Sequence, residues 1–345
     1  MTALTACTRR IAWGNFQAGG MTKNGALDVD RLQRFIAPFS APPPHSSEPL
    51  PVAVFVLCEA KQWGADGNTG LLTAADVLSE TLGGNYTGKL CSFDRGPMGP
   101  AVFFDPALVR PVRWPDDNGY PGFPDQADAV RFRVVGTKQH FVIIPRHWAP
   151  TSPQQRTDQA RLLGRYGDDW PEPVAIIGDL NATASGPRWP RRDWTKAYYR
   201  DRDAKAIWVP DGTPAGKWVD ATAPLDHLIG RWVDHPDYQG RIDGCGFRAV
   251  PEIAYATGTP LEEAFQATVN RGIDLGGGQL IDHCLLSRPD IYVPGSYRTH
   301  VPARQYSGRW DSDHRPGEAT INLAAKPGSL TYVNADLGRQ FGLAA

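Results

Sequence analysis

An apolar run, Val174 to Ile177, passes through Gly178 and delivers Asp179 and Asn181 two positions apart. On an extended backbone, residues two apart project to one side, so the carboxylate and the carboxamide stand together. A carboxylate so placed takes a proton from water or holds a cation, and a carboxamide beside it orients a nucleophile or a phosphate oxygen. Asp and Asn are also ordinary turn residues, and the stretch by itself reads equally as a strand followed by an Asx-rich turn.

The same pattern recurs along the chain. Arg10–Phe16 reads as a strand whose end offers Asn15 and Gln17 on one face, and the apolar run Pro51–Glu59 ends on the single carboxylate of Glu59. Val130–Val135 and Gln139–Ile144 read as a hairpin with His147 just past its second strand. Gln279–Ser287 is a strand carrying Asp282, and a polar loop with Asp313 and His314 precedes the last strand. Strand ends are where α/β folds place their sites. An oxygen-rich set of Glu59, Asp313, Asn15 or Gln17, and Asp179 suits a hard cation such as Mg²⁺ or Mn²⁺ better than Zn²⁺. With two histidines and an Asp/Asn pair added, the set points to phosphoester hydrolysis, in which a cation neutralises developing negative charge.

Helices must space these strands. Leu32, Phe35, Ile36 and Phe39 keep the i, i+3, i+4, i+7 spacing of an amphipathic helix ended by the APPPHSSEP loop. A weak capping box predicts a short helix over Thr73–Leu82. The clearest helix starts with Ser152 at N-cap, Pro153 at N1 and Gln155 at N3, with Gly167 expected at C′. Another is expected from Thr259, with Pro260 and Glu262 in the same roles, to just before Gly272. GKLCSFDRG and GPAVFFDP read as antiparallel strands, and Trp114–Asp128 as a loop. Hairpins among the alternating elements give a mixed α/β pattern rather than a purely parallel sheet.

The chain has 345 residues, 41% of them hydrophobic, enough for one large α/β domain or two average ones. A net charge of −1 leaves attraction of nucleic acid to a local patch. Five scattered cysteines without a C-x-x-C pair suggest neither a disulfide framework nor a zinc knuckle, and fit reduced thiols in a cytoplasm. The N-terminus lacks the apolar segment of a signal peptide, and no window reaches bilayer-spanning length, so a soluble, cytoplasmic protein without a membrane partner is expected. One segment is unusual: between Arg188 and Lys205, seven basic residues interleave with Trp189, Trp194, Tyr198 and Tyr199. Cations among aromatics suit a phosphate backbone with stacked bases, although a solvated segment that buries its aromatics would look similar.

At this point the chain resembles the endonuclease/exonuclease/phosphatase superfamily, which includes deoxyribonuclease I and exonuclease III type nucleases. The resemblance runs from about residue 9 to 323 through AWGNFQ, LCEA, RHWAP, GDLNA, IDHCLLS and SDHRP, in order. It implies a four-layer α/β sandwich, two mixed β-sheets face to face with helices outside. It implies Glu59, Asn15 and Asp313 at a Mg²⁺ (or Mn²⁺) site, with Gln17 beside them. Asp179 would position or deprotonate water, assisted by Asn181. His314 would contact the phosphate, oriented by Asp282, and His147 would contact the phosphate or the leaving group.

Two features depart from the family. His283 stands where Tyr or Trp often follows the orienting Asp, and residues 182–278 form a long interval read as an insertion, followed at 324–345 by a C-terminal tail. His227, His235 and His300 lie outside the motifs and read as structural or surface residues. The resulting expectation is a divalent-metal-dependent phosphodiester hydrolase attacking in line with activated water. Nucleic acid, DNA first, is the expected partner, and Arg188, Trp189, Arg191 and Arg192 are the candidate substrate contacts. A phosphatase or phosphodiesterase for a small metabolite or lipid headgroup is the alternative. A catalytically silent binding protein on the same scaffold is the third, disfavoured by the intact motif set.

Overall fold

The computed structural model describes residues 6–91, 98–114, 128–168, 170–213, 215–269, 275–304 and 308–331. Strands β1 (Thr8–Asn15), β2 (Val52–Cys58), β3 (Thr87–Leu90) and β4 (Ala101–Phe104) begin one sheet. Strands β5 (Val109–Arg113), β6 (Val130–Val134), β7 (His140–His147) and β8 (Val174–Asp179) begin a second. Two hairpins follow, β9 (Ala206–Val209) with β10 (Lys217–Asp220) and β11 (Arg231–His235) with β12 (Tyr238–Ile242). Then β13 (Arg248–Ala249) and β14 (Asp282–Leu286) complete the second sheet, and β15 (Arg298–Thr299) and β16 (Gly317–Asn322) complete the first. The sheet orders are β15-β16-β1-β2-β4-β3 and β13-β14-β8-β7-β6-β5. Both are mixed, since β1/β2 and β7/β8 are parallel while their neighbours are antiparallel.

Side-chain alternation explains why the central strands read as unbroken apolar runs. Val54 and Val56 of β2 meet Ile143, Ala175 and Ile177 between the sheets, whereas Phe55 and Leu57 face out. The outer layer over them is α1 (Val29–Ile36) and α2 (Ala65–Leu82). Ile144 and Ile176 likewise turn outward to a layer containing α3 (Pro153–Arg161) and α5, after α4 (Tyr199–Lys205) in sequence and itself Ala223–Ile229. A strand covered on both faces has no polar side. Each such Val, Leu or Ile contributes about 1.5–3 kcal/mol on burial, which makes the sandwich interior a rigid base for the strand ends. The sandwich expected from the motifs is therefore the architecture found.

Several helix expectations are corrected. The second helix begins at Ala65, not Thr73, with Asp66, Gly67 and Asn68 left-handed inside its first turn. Ser152 and Pro153 start α3 as expected, but the helix ends at Arg161, and Gly167 is not a left-handed cap (φ −79°). Glycine is needed there because a Cβ would collide with the Cys245 carbonyl. The helix expected from Thr259 is only the short α7 (Leu261–Ala264), preceded by α6 (Val250–Ala256), whose apolar run carries no helical periodicity. Most of the expected Trp114–Asp128 loop lies outside the described residues, as do 92–96 of the GKLCSFDRG strand and the end of the tail. Among the described residues no helix is long and apolar enough to cross a membrane. Within 182–278 the chain forms α4 to α7 and both hairpins, and β13 pairs with β14 at the edge of the main sheet.

Candidate active site

Three adjacent strands bring their polar residues to one level. His147 lies opposite Asp179 in the parallel pair β7/β8, and Asp282 lies opposite Asp179 in the antiparallel pair β14/β8. Asp282 opens its strand while the other two close theirs, because β14 runs the other way. Gly178 makes the approach possible. It adopts φ 136°, and a Cβ there would collide with the Arg146 carbonyl and reach 3.0 Å from Cys58 Sγ. The glycine of GDLN is thus a requirement of packing between the two sheets and the parallel strand.

The end of the first sheet meets this row through Asn15. Its Nδ2 donates to Asp179 Oδ2 at 2.9 Å and to Glu59 Oε1 at 3.0 Å, from a fully buried position. Glu59 Oε2 also accepts from the Ala18 amide at 2.6 Å. Glu59 and Asn181 both hold left-handed backbones, φ 63° and 48°, which cost of order 1–3 kcal/mol each and are typical of functional sites. Asn181 is held by its amide donating to Asp179 Oδ1 at 2.8 Å and its Nδ2 donating to the Trp148 carbonyl at 3.1 Å. Gln17 Nε2 donates to Asp313 Oδ2 at 3.1 Å.

His314 Nδ1 donates to Asp282 Oδ2 at 2.8 Å and lies 3.9 Å from Asp179 Oδ2. Burial disfavours the imidazolium, but Asp282 and Asp179 outweigh it and push the His314 pKa up to about 10. Burial pushes the Asp282 carboxyl up, with Asp179 adding to it against the pull of His314. Burial opposes ionisation of Asp179 too, yet His314 and then His147 reverse the balance and its pKa is lowered. His147 is turned by Nδ1 donating to the Met98 carbonyl at 2.8 Å, which leaves Nε2 3.8 Å from Asp179 Oδ2.

The donor set fits a hard cation. Asn15 Oδ1 is buried with no hydrogen-bond partner, which costs about 1–3 kcal/mol unless something offsets it; Glu59, bonded to Asn15, and Asp313 supply anionic oxygens that line a cavity. Asp179, Asp282 and His314 also bring ligand-type atoms within 4.8 Å of one another. There, however, His314 Nδ1 is engaged with Asp282, and a protonated imidazole is not a ligand, so that group is built to hold a proton.

Several supports escaped the sequence reading. Ser312 Oγ donates to the Asn15 carbonyl at 2.6 Å and accepts from the His314 amide at 3.1 Å, which pins the SDH loop to β1. Thr268 Oγ1 accepts from the amides of Ile281 and Asp282. Cys58 Sγ accepts from the Asp179 amide at 3.4 Å. Cys58 and Ser312 stand inside the LCEA and SDHRP motifs, so motif membership was the available signal; Thr268 had none.

The catalytic candidates His147, Asp179, Asn181 and His314, with Glu59 and Asp313, line a cavity of about 1060 Å³. Arg188, Trp189, Arg191 and Arg192 are not among the residues that line it. Trp189 is 2% exposed, donates Nε1 to Glu252 at 3.0 Å and packs on His283 and Phe265. The Arg192 side chain is fully buried against Asp201. Arg191 bonds Asp220 and the Gly186 carbonyl, and Arg188 lies over Trp232 and Tyr255. The aromatic and cationic groups pair with one another in the packing of 182–278. The same segment reaches the cavity further on, through Tyr198, Arg200 and Lys205. His283 is buried, its Nε2 donating to the Ala182 carbonyl at 2.8 Å, and burial pushes its pKa down to about 4, so it packs as a neutral ring. His300 binds Glu318, which also pairs with Arg10 and Arg298, and His235 is exposed.

No family model and no curated protein matches the chain. Among solved structures, a humanized D. rerio TDP2 carrying 14 mutations is similar at 15% identity and TM-score 0.52, over 92% of this chain and 99% of that one. D. rerio TDP2 complexed with a single strand DNA product is similar at 14% identity and TM-score 0.52, over 91% and 99%. A Bacteroides thetaiotaomicron mannosyl-6-phosphatase is similar at 15% identity and TM-score 0.49, over 90% and 98%. At these identities the likeness is one of fold, the deoxyribonuclease I-like sandwich.

Proposed function

We propose that this chain, built on the endonuclease/exonuclease/phosphatase fold, is a divalent-metal-dependent phosphoester hydrolase, with nucleic acid, DNA first, as its substrate. One observation carries the reading: His147, Asp179 and Asp282 stand level on adjacent strands, and His314 and Asn15 converge on Asp179 from outside that sheet. Water beside Asp179 is aligned for in-line attack by that carboxylate and by Asn181. The lowered pKa of Asp179 suits it to orient and polarise water more than to keep its proton. His314, held by Asp282, presents its other ring N–H to a nonbridging oxygen, and His147 assists the departing oxygen. Glu59, Asn15 and Asp313 would hold Mg²⁺ or Mn²⁺, which when bound stabilises negative charge on the phosphoryl group and leaving oxygen.

The nucleic-acid reading is supported by Tyr198, Arg200 and Lys205 at the cavity and by the DNA product held by the D. rerio neighbour. The compact-substrate alternative draws on Gln155, Gln159 and Leu162 of α3 and its following turn, which also line the cavity. The test is hydrolysis of plasmid, single-stranded DNA, RNA and a phosphomonoester panel with Mg²⁺, Mn²⁺ or EDTA. Equal turnover in EDTA rejects the metal requirement, and activity surviving both Asp179→Ala and His314→Ala rejects the site.

A further inference from the structure

The wall of the cavity facing the motif residues carries a cationic group that none of the motifs accounts for. Lys205 ends α4, half-buried and lining the cavity; its carbonyl accepts from the Ala221 amide at 3.0 Å, and among the described residues its ammonium makes no hydrogen bond or ion pair. The carboxylates that act on it are bonded to other groups, Asp179 to Asn15 and Asp282 to His314. Asp201, the nearest carboxylate on the same helix, is engaged by Arg192 at 3.2 Å. Behind it Arg156, fully buried, spends its Nη1 and Nη2 on the neutral carbonyls of Ala149 and Ala204 at 2.9 and 2.8 Å, so a second positive charge goes unmatched. Burial lowers the Lys205 pKa and the Arg156 charge adds to that, against the upward pull of Asp179, Asp201 and Asp282.

We propose that Lys205, with the Arg156 charge behind it, forms a phosphate-binding subsite on the α3/α4 wall, opposite Asp179, that holds a phosphate group of the substrate. The inference rests on the phosphoester reading of the site and adds to it where on the cavity the substrate's anion is gripped. A compact ammonium with three donors suits a tetrahedral anion whose oxygens turn as the reaction proceeds. The Arg156 bond to the Ala204 carbonyl fixes the end of α4, so Lys205 is presented on a braced residue rather than on a free loop end.

The test uses the full chain and inorganic phosphate as probe. Calorimetry should show phosphate binding to the wild type that weakens at least tenfold in Lys205→Gln, about 1.4 kcal/mol, and recovers to within about threefold in Lys205→Arg. In hydrolysis assays the same Lys205→Gln should raise KM at least tenfold with a smaller change in kcat, while the circular dichroism spectrum and Tm stay those of the wild type. Unchanged phosphate affinity and KM in a folded Lys205→Gln, or a wild type that hydrolyses phosphoesters yet binds no phosphate, overturns the subsite and leaves the enzyme reading standing. A wild type that hydrolyses no phosphoester with Mg²⁺ or Mn²⁺ overturns the functional reading itself, and phosphate binding lost in Lys205→Gln would still support the subsite in that case.

Discussion

Asp179 and Asp282 face each other across β8 and β14, with His314 Nδ1 2.8 Å from one carboxylate and 3.9 Å from the other. Two buried carboxylates this close repel, and the imidazolium between them is what allows them to share a site. The three groups titrate as a unit, and the chemistry assigned to any one of them depends on the other two.

Removing the support under His314 should be nearly as harmful as removing the ring. His314→Ala and Asp282→Asn should each reduce kcat by about 10²–10⁴, with KM little changed. In Asp282→Asn the His314 imidazole, followed by NMR, should titrate well below about 10, moving toward 6.5. A His314 titration unchanged by Asp282→Asn would refute the orienting role.

Magnesium should raise Tm even without substrate, because an ion that binds only the folded state stabilises it, by about 2.7 kcal/mol at a hundred times Kd. Glu59→Gln should abolish that shift. A shift of equal size in Glu59→Gln would place the ion elsewhere.

His283 predicts an acid-side loss of stability. Its folded pKa, about 4, lies below the 6.5 of an unfolded histidine. Between those values the unfolded chain takes up a proton that the folded chain refuses, so stability falls as pH drops from 6.5 to about 4 and is unaffected above 6.5. The full effect is of order 3 kcal/mol. His283→Gln, which can keep the bond to Ala182, should show a smaller loss of Tm between pH 7 and pH 5 than the wild type does.

Trp189 should matter to stability and not to affinity. Trp189→Ala removes a core ring and its Nε1 hydrogen bond to Glu252, at a cost of about 3–5 kcal/mol. DNA affinity measured below its lowered Tm should match the wild type, and its salt dependence should be unchanged. Arg200→Gln, at the cavity mouth, should flatten that salt dependence while Tm holds.

Gly178→Ala tests the close approach of the two sheets. A left-handed backbone and a collision with the Arg146 carbonyl should together cost at least about 2 kcal/mol. Chemical denaturation should show it as a lower midpoint at unchanged slope.

What could be read from the chain were the features set by local rules. Apolar runs of strand length ending on Glu59 and Asp179 marked buried strands because a strand covered on both faces carries no polar side. The Ser152-Pro153 start of α3 followed from its own capping bonds. Motif order then pointed to the sandwich, since each motif closes or opens a strand. Where local rules gave out, the reading failed: Gly167 looked like a helix cap, yet its role is set by Cys245, distant in sequence. Arg188, Trp189, Arg191 and Arg192 had the composition of a nucleic-acid surface, and composition does not say whether a cation faces an aromatic ring, a buried carboxylate or solvent. That depends on partners such as Glu252, Asp220 and Tyr255, which only folding brings near.

Sequence alone, then, singled out the polar residues at strand ends, because residue type and periodicity are local properties. Tertiary structure alone decided that Asn15 joins Asp179 to Glu59, that His314 lies between two carboxylates, and that Lys205 rather than Arg188 faces the cavity. Those are distances between segments, set by how two sheets and their covering helices pack, and no rule of neighbouring residues contains them.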